Sequence, residues 1–299
     1  MEKESLTALL ELTHRCNLAC KHCYNNSSPS SNEELEEDSI KAIIHDLNKL
    51  VNFKVEKIIL TGGEFVYMKQ AAEIYSYIRQ HFHGSLRIET NGLLFQRNPE
   101  LFQTYRAEEY FISADLFHGT IDRKGDSELL DFFIQHSARN GFKVICRLTV
   151  NDSDSDLIPQ FLERYGNRDS LALEVKYVSP SGRAGENLTD FKGFRYEDNK
   201  SLFTCLANDM IHLNVQKQWH ACYTACDLSY VADLGDEDFN EKLLEKRQSS
   251  IIRNLKIQGI GSLLDEVSDP ALREVFLNKT FYYRCEPCLY LSEQLASGR

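Results

Sequence analysis

From Leu6 to about Val178 the chain alternates short apolar runs with amphipathic stretches, a rhythm that restricts it to parallel strands joined by helices. The run "LTALLELT" predicts a first strand that ends at a cysteine-bearing loop. The runs "EKIILTGGE", "SLRIETNG", "EYFISADLF", "FKVICRLTV" and "LALEVKYV" predict five more. Ile40, Ile43, Ile44, Leu47 and Leu50 recur at helical spacing, which predicts a helix from about Asp38 to Val51 with one face on a sheet. Further helices are predicted in "MKQAAEIYSYIRQHF", Pro99 to Tyr105, Glu128 to Asn140 and Leu157 to Tyr165. Six β/α units imply an α/β fold, a partial or complete barrel whose ligand lies at the carboxyl ends of the strands. The polar clusters fall there: the cysteine loop, then "TGGE", "ETNG", "SADLFHG" and "RLTVND".

The balance of charge narrows the partners. With 34 Lys and Arg against 45 Asp and Glu, the formal charge is −11, which argues against a broad phosphate-binding surface for nucleic acid or an anionic membrane. No apolar run approaches the ~20 residues that span a bilayer, and Met1 to Thr7 is too polar for a secretory signal. A cytoplasmic location is therefore expected, where the nine cysteines are more often metal ligands or catalytic groups than disulfides.

The turn-rich "VSPSGRAGEN" marks a boundary near residues 179 to 190, and we expect a core domain over 1–190 and a second domain over 191–299. Beyond the boundary stand Cys205, Cys222, Cys226, Cys285 and Cys288, which read as a small metal-stapled α+β domain. A helical insert, "FNEKLLEKRQSSIIRNLKIQ" followed by "SLLDEVSDPALREVFLN", separates the two cysteine groups.

The cysteine loop carries the chemistry. "THRCNLACKHCYNNS" places Cys16, Cys20 and Cys23 at C-x-x-x-C-x-x-C spacing. Three thiolates on one loop can hold three irons of a [4Fe–4S] cluster and leave the fourth open to an outside ligand. A zinc site completed by His14 or His22 is the rival reading. The loop "CNLACKHC" resembles the motif of the radical S-adenosylmethionine (SAM) enzymes. That resemblance implies a partial (β/α)6 TIM-like barrel, a [4Fe–4S] cluster whose open iron chelates SAM, and reductive cleavage of SAM to a 5′-deoxyadenosyl radical. An external electron donor such as flavodoxin or ferredoxin is implied with it.

The resemblance extends along the barrel. "TGGEF" stands where the family has Gly-Gly-Glu, so Gly62, Gly63 and Glu64 are expected to position SAM: glycines admit close approach, and a carboxylate accepts from the SAM ammonium. His22 occupies the position of a family aromatic near the adenine, and Tyr24 extends that surface. Thr90 and Asn91 of "ETNG" are placed to meet the ribose or carboxylate, and Ser113 and Asp115 of "ISADLF" to meet the ribose. On the fifth strand Val144, Cys146, Leu148 and Val150 form an apolar face, so Arg147 points the other way, either to the SAM carboxylate or to an ion pair. Glu174 and Lys176 share a face and read as a structural pair, and His118 lies in reach of substrate with Asp115.

The tail resembles the auxiliary-cluster domain called SPASM in its shorter twitch form, with Lys217 where that family has glycine. The resemblance implies a second [4Fe–4S] cluster on Cys205, Cys222, Cys285 and Cys288, with a zinc knuckle as the alternative. Cys226 is either another ligand, an ordinary thiol, or a hydrogen donor to a substrate radical, as in radical SAM peptide epimerases. Relatives with such tails mostly modify ribosomally made peptides, by crosslinking or by inverting α-carbons. We therefore expect a precursor-peptide substrate without the amino-terminal peptide-recognition domain of many maturases. Oxidation or epimerisation of a small molecule such as a carbohydrate is the alternative.

Overall fold

The six expected strands form in order: β1 (Glu4–Thr13), β2 (Phe53–Gly62), β3 (Ser85–Thr90), β4 (Glu109–Ala114), β5 (Lys143–Val150) and β6 (Leu171–Tyr177). The computed structural model describes residues 3–168, 170–200, 209–222, 229–249, 252, 253, 255, 259–283 and 285–296. It divides into two units, one of Leu10–Ile40 with Glu56–Lys192, the other of Met1–Leu9 with Lys41–Val55 and Gly193–Arg299.

In the first unit the strands run in the order β1-β2-β3-β4-β5-β6, and each registered pair from β2 to β6 is parallel. That is the consecutive order of a barrel segment. Helices α2 (Ala71–His81), α5 (Glu128–Asn140) and α6 (Leu157–Tyr165) return the chain between strands, while α1 (Glu37–Lys49) joins β1 to β2. The segment expected as one helix from Pro99 to Tyr105 is instead preceded by a separate turn, giving α3 (Leu93–Arg97) and α4 (Leu101–Thr104). Asn98 and Pro99 separate them, because a proline disfavours helical backbone in the residue before it.

Alternation on β5 follows the sequence: Val144, Cys146, Leu148 and Val150 are no more than 2% exposed, while Ile145, Arg147 and Thr149 lie on the opposite, half-buried face. Behind the sheet Phe102, Tyr110, Phe133 and Phe142 form a ring cluster, with Tyr110 and Phe142 centroids 4.6 Å apart. α5 closes over it, capped by Ser127, whose hydroxyl accepts the Leu130 N–H at 3.1 Å. At the amino ends of the strands, Glu109 accepts from Lys57 Nζ at 2.9 Å and Arg87 Nε at 2.7 Å. Burial opposes ionisation of Glu109, but the two cations outweigh it and hold the carboxyl below its usual range. The Glu109 charge at this end is thus paired internally, and the carboxyl ends of the strands are where a ligand is expected.

In the second unit β8 (Met210–Leu213) and β9 (Gln218–His220) form a hairpin, flanked by β10 (Tyr230–Asp233). The Thr7 N–H of β1 donates to Asp209 O at 2.6 Å. β7 (Phe194–Arg195) pairs with β11 (Thr280–Phe281), and α8 (Phe239–Gln248), α9 (Gly261–Glu266), α10 (Pro270–Asn278) and α11 (Glu286–Ala296) supply the helices of the expected insert and tail. Trp219 is fully buried, stacks on Phe239 at 5.0 Å and donates to Asp46 at 2.9 Å.

The hairpin explains the position where the sequence departs from the twitch pattern. Lys217 takes φ +66°, the left-handed conformation natural to glycine, and its N–H donates to Asn214 O at 3.0 Å. A Cβ there costs about 1–2 kcal/mol, part of which glycine's greater unfolded-state entropy offsets. Lys217→Gly is therefore expected to raise unfolding free energy by about 1 kcal/mol, read from chemical denaturation. An unchanged or lower midpoint would show that the lysine side chain contributes more than its backbone strain costs.

Candidate functional site

All three cysteines of the first loop line one cavity at the carboxyl ends of the strands in the first unit. The loop is closed on itself: the Ser28 N–H donates to His14 O and the Cys16 N–H to Ser28 O, both at 3.1 Å. Cys16 is buried, and burial pushes its thiol up to about 12, so a cationic centre must displace the proton before this sulfur can ligate as thiolate. Cys20 and Cys23 are half-buried, and the Cys23 thiol faces Asn25 Oδ1 at 3.2 Å. Asn25 in turn donates to Glu11 at 3.1 Å.

The Gly62–Glu64 turn packs directly beneath this loop. Gly63 N–H donates to Thr13 O at 2.6 Å and Glu64 N–H to Arg15 O at 2.9 Å. Gly62 has φ +133°, and a Cβ on it would stand 2.2 Å from Thr13 O. The glycine pair therefore serves first to bring two loops into backbone contact, a role the motif by itself does not reveal. Glu64 is fully buried behind the cavity, where its carboxylate accepts from the Thr90 hydroxyl at 2.9 Å and the Asn91 N–H at 2.9 Å. Asn91 also donates to Asn17 Oδ1 at 2.8 Å, tying the end of β3 to the cysteine loop.

Burial raises the Glu64 carboxyl to about 7, against the hydrogen bonds from Asn91 and Thr90 that lower it. Its proton contributes stability that is fully present below about pH 4.5 and is lost as pH rises through about 7. In metal-free protein, Glu64→Gln should flatten this dependence and recover up to about 3 kcal/mol at pH 8, with little change at pH 4.5. Thermal melts of both forms across that range give the answer; parallel curves would contradict the assignment.

The other expected residues fall around the same opening. Thr90, Asn91, Ser113 and Arg147 line the cavity, as do His22 and the more exposed Tyr24. Arg147 stacks over Phe111 at 4.4 Å and pairs with Glu174 at 3.3 Å, so Glu174 has its ion partner across the β5–β6 register. Lys176 lies 5.9 Å from the Tyr24 ring. Asp115 is 1% exposed and does not line the cavity; it accepts from His118 Nδ1 at 2.6 Å and from the His118 N–H at 2.7 Å. Burial opposes protonation of His118, but Asp115 and then Cys20 outweigh it and hold the ring above its usual range. His22 packs on Phe117 at 4.6 Å, and burial pushes it down to about 4, so it presents a neutral ring to the cavity.

These positions bear on the zinc reading. Both ring nitrogens of His14 face carboxylates, Glu11 at 3.1 Å and Glu33 at 2.5 Å, and His14 does not line the cavity. It is not placed as a fourth ligand. A loop with three sulfurs, glycines that clear the adjoining wall and a buried carboxylate beside them fit a cluster with an open iron and a ligand carrying an ammonium group.

In the second unit Cys222 follows β9, Cys285 precedes α11, and Cys288 lies in its first turn against the core of Tyr196, Phe276, Phe281 and Leu291. Cys205 and Cys226 lie outside the described residues. Sequence reasoning overlooked Asn17, Asn25 and Glu11, whose roles depend on contacts between loops; only the crowding of polar residues around the cysteines hinted at them. Among the described residues no helix is long and apolar enough to cross a membrane.

Comparison with known proteins agrees with this geometry. Residues 10–156 match the family model of the radical SAM superfamily. The chain is 39% identical over 185 residues to the antilisterial bacteriocin subtilosin biosynthesis protein AlbA of Bacillus subtilis (strain 168), covering 60% of this chain and 40% of that one. It is 27% identical over 186 residues to the sporulation killing factor maturation protein SkfB of the same organism, covering 60% and 44%. The matched stretch thus spans less than half the length of each relative. Among solved structures, anSMEcpe with bound AdoMet superposes with a TM-score of 0.57 at 12% identity, over 98% of this chain and 97% of that one. The fold is that of the partial barrel, and the radical SAM match over residues 10–156 implies a [4Fe–4S] cluster and SAM as cofactors. With its barrel segment, its three-cysteine loop and its match over residues 10–156, this chain carries a radical SAM domain.

Proposed function

We propose that this chain uses a radical generated from SAM to modify a ribosomally made peptide. The observation that carries the reading is that the cysteine loop, the Gly62–Gly63 turn and the ends of β3 to β6 line a single cavity, in a chain 39% identical to a protein of bacteriocin biosynthesis over 185 residues. The kinship to a killing-factor maturation protein favours the same substrate class.

Cys16, Cys20 and Cys23 would hold the cluster. Gly62 and Gly63 keep the wall beneath it free of side chains, and Glu64 accepts from the SAM ammonium, whose charge would relieve the cost of ionising a buried carboxyl. Thr90, Asn91 and Ser113 orient the polar parts of SAM, with His22 and Tyr24 flanking the adenine and Arg147 facing the SAM carboxylate, while Asp115, buried beneath His118, holds that ring at the cavity wall rather than meeting the ribose itself. When bound and reduced, the cluster and SAM together supply a 5′-deoxyadenosyl radical.

The domain of residues 191–299 would carry an auxiliary cluster on Cys205, Cys222, Cys285 and Cys288, to accept an electron in an oxidation. In an inversion, Cys226 would instead return a hydrogen. Flavodoxin or ferredoxin fits the need for an external electron, and a cytoplasmic setting fits oxygen-sensitive chemistry.

The test is anaerobic incubation of reduced protein with SAM and a candidate precursor peptide, followed by mass spectrometry. Peptide-dependent 5′-deoxyadenosine with a loss of two hydrogens from the peptide identifies crosslinking. Uptake of one deuterium from D2O without other change identifies inversion, and Cys226→Ala should then abolish the uptake. Release of 5′-deoxyadenosine that ignores peptides but responds to a carbohydrate alcohol would transfer the assignment to small-molecule oxidation or epimerisation.

A further inference from the structure

The turn that follows β6 grips the cysteine loop by its backbone. Gly182 has φ +54°, and a Cβ on it would stand 2.2 Å from Tyr24 O and 2.6 Å from Cys23 O. The next residue, Arg183, donates its backbone N–H to Cys23 O at 3.0 Å, and its guanidinium Nη2 donates to Ser27 O. One residue therefore holds both ends of the Cys23–Ser27 stretch. The turn is itself anchored, because Arg183 opens α7 (Arg183–Asn187) and Ala184 is 0% exposed. The other half of the loop is already closed by the reciprocal bonds between Ser28, His14 and Cys16. The grip of Arg183 acts on the segment that bears the last cysteine together with the Asn25–Glu11 contact, and it is the one that reaches both of that segment's ends.

Arg183 also brings a permanent charge. Its Nε is buried without a hydrogen-bond partner, so the fork is committed to this position rather than to solvent. Three thiolates around a cluster make a concentrated negative charge, and a fixed cation beside the loop opposes their separation.

We propose that Gly182 and Arg183 form a latch in which Arg183 is a positioning residue that holds Cys23 in ligating geometry and retains the cluster. The proposal rests on Cys16, Cys20 and Cys23 being the cluster ligands. It requires both the close approach that only glycine permits and the two-point grip of the arginine.

Release of iron to a ferrous chelator under anaerobic conditions tests it without reference to turnover. The iron that the Cys16→Ala/Cys20→Ala/Cys23→Ala protein fails to retain defines the loop-bound fraction. From that fraction, Arg183→Gln is expected to release iron at least about tenfold faster than the natural protein, the lower end of losses seen when supporting contacts at metal sites are removed. Arg183→Lys, which keeps the charge and one donor, should restore retention to within about threefold. The EPR midpoint of the loop cluster should fall in Arg183→Gln and stay near the natural value in Arg183→Lys, a shift that a merely structural contact would not produce.

Natural release rates and an unchanged midpoint in Arg183→Gln would overturn the latch. So would equal loss in the lysine and glutamine forms. If Arg183→Gln cannot be purified, Gly182→Ala decides in the same way, since its Cβ must push the turn off Tyr24 while the charge remains. A triple cysteine variant that retains the full natural iron content would instead overturn the ligand assignment, independently of the latch.

Discussion

Cys23→Ala protein is expected to release no 5′-deoxyadenosine above the background of reductant and SAM alone, and to lose about four irons per chain relative to the natural protein. Removal of a contact merely supporting a metal site costs up to about 100-fold, so loss of a ligand should exceed that. The Cys23 thiol faces Asn25 Oδ1, an oxygen that does not replace a soft thiolate on iron. Cys146→Ala is the matched control. That sulfur is fully buried on the core face of β5, so its loss should leave cleavage intact and cost about 1 kcal/mol of stability. Full SAM cleavage by the Cys23 variant would remove the central assignment.

Gly62→Ala should be strongly damaging for the addition of a single methyl group. Its φ of +133° is closed to L-residues, and the added Cβ would meet a backbone oxygen, Thr13 O, at 2.2 Å. The strained dihedral alone costs about 1–3 kcal/mol. Because a strand end must also move, a total of at least about 3 kcal/mol is expected. Separation of the two loops would further break the Gly63–Thr13 and Glu64–Arg15 bonds, so cluster content should fall with stability. Gly63→Ala meets Arg15 O at 2.4 Å but needs no unusual φ, and is expected to cost less. Denaturation of the metal-free forms separates the two. If Gly62→Ala is within about 0.5 kcal/mol of the natural protein, the close approach of the loops is not what the glycine provides.

Much of the barrel segment is legible because its determinants are local. Apolar alternation on β5 and helical spacing in α1 are properties of a few adjacent residues, and both reappear as burial. α5 and α6 have the boundaries expected from their flanking signals, whereas α3 was overlooked because five residues after a glycine carry too little periodicity. The cysteine loop and Gly-Gly-Glu turn are legible for a different reason: their spacing is set by the ligand they serve.

The sequence by itself determined the class of chemistry. Three thiols at that spacing, at the end of a first strand and ahead of Gly62, Gly63 and Glu64, leave few alternatives. Only the tertiary structure decided how those groups are held. The choice of Arg147 for Glu174, the seat of Asp115 beneath His118, the exclusion of His14 by two carboxylates and the grip of Arg183 on Ser27, 156 residues away, are all contacts between strand ends and loops. The physical reason is that periodicity reports which face of an element is buried, whereas hydrogen-bond partners are chosen by whichever loops the sheet order brings within about 3 Å. Residues far apart in the chain meet there, and no short-range pattern records the meeting.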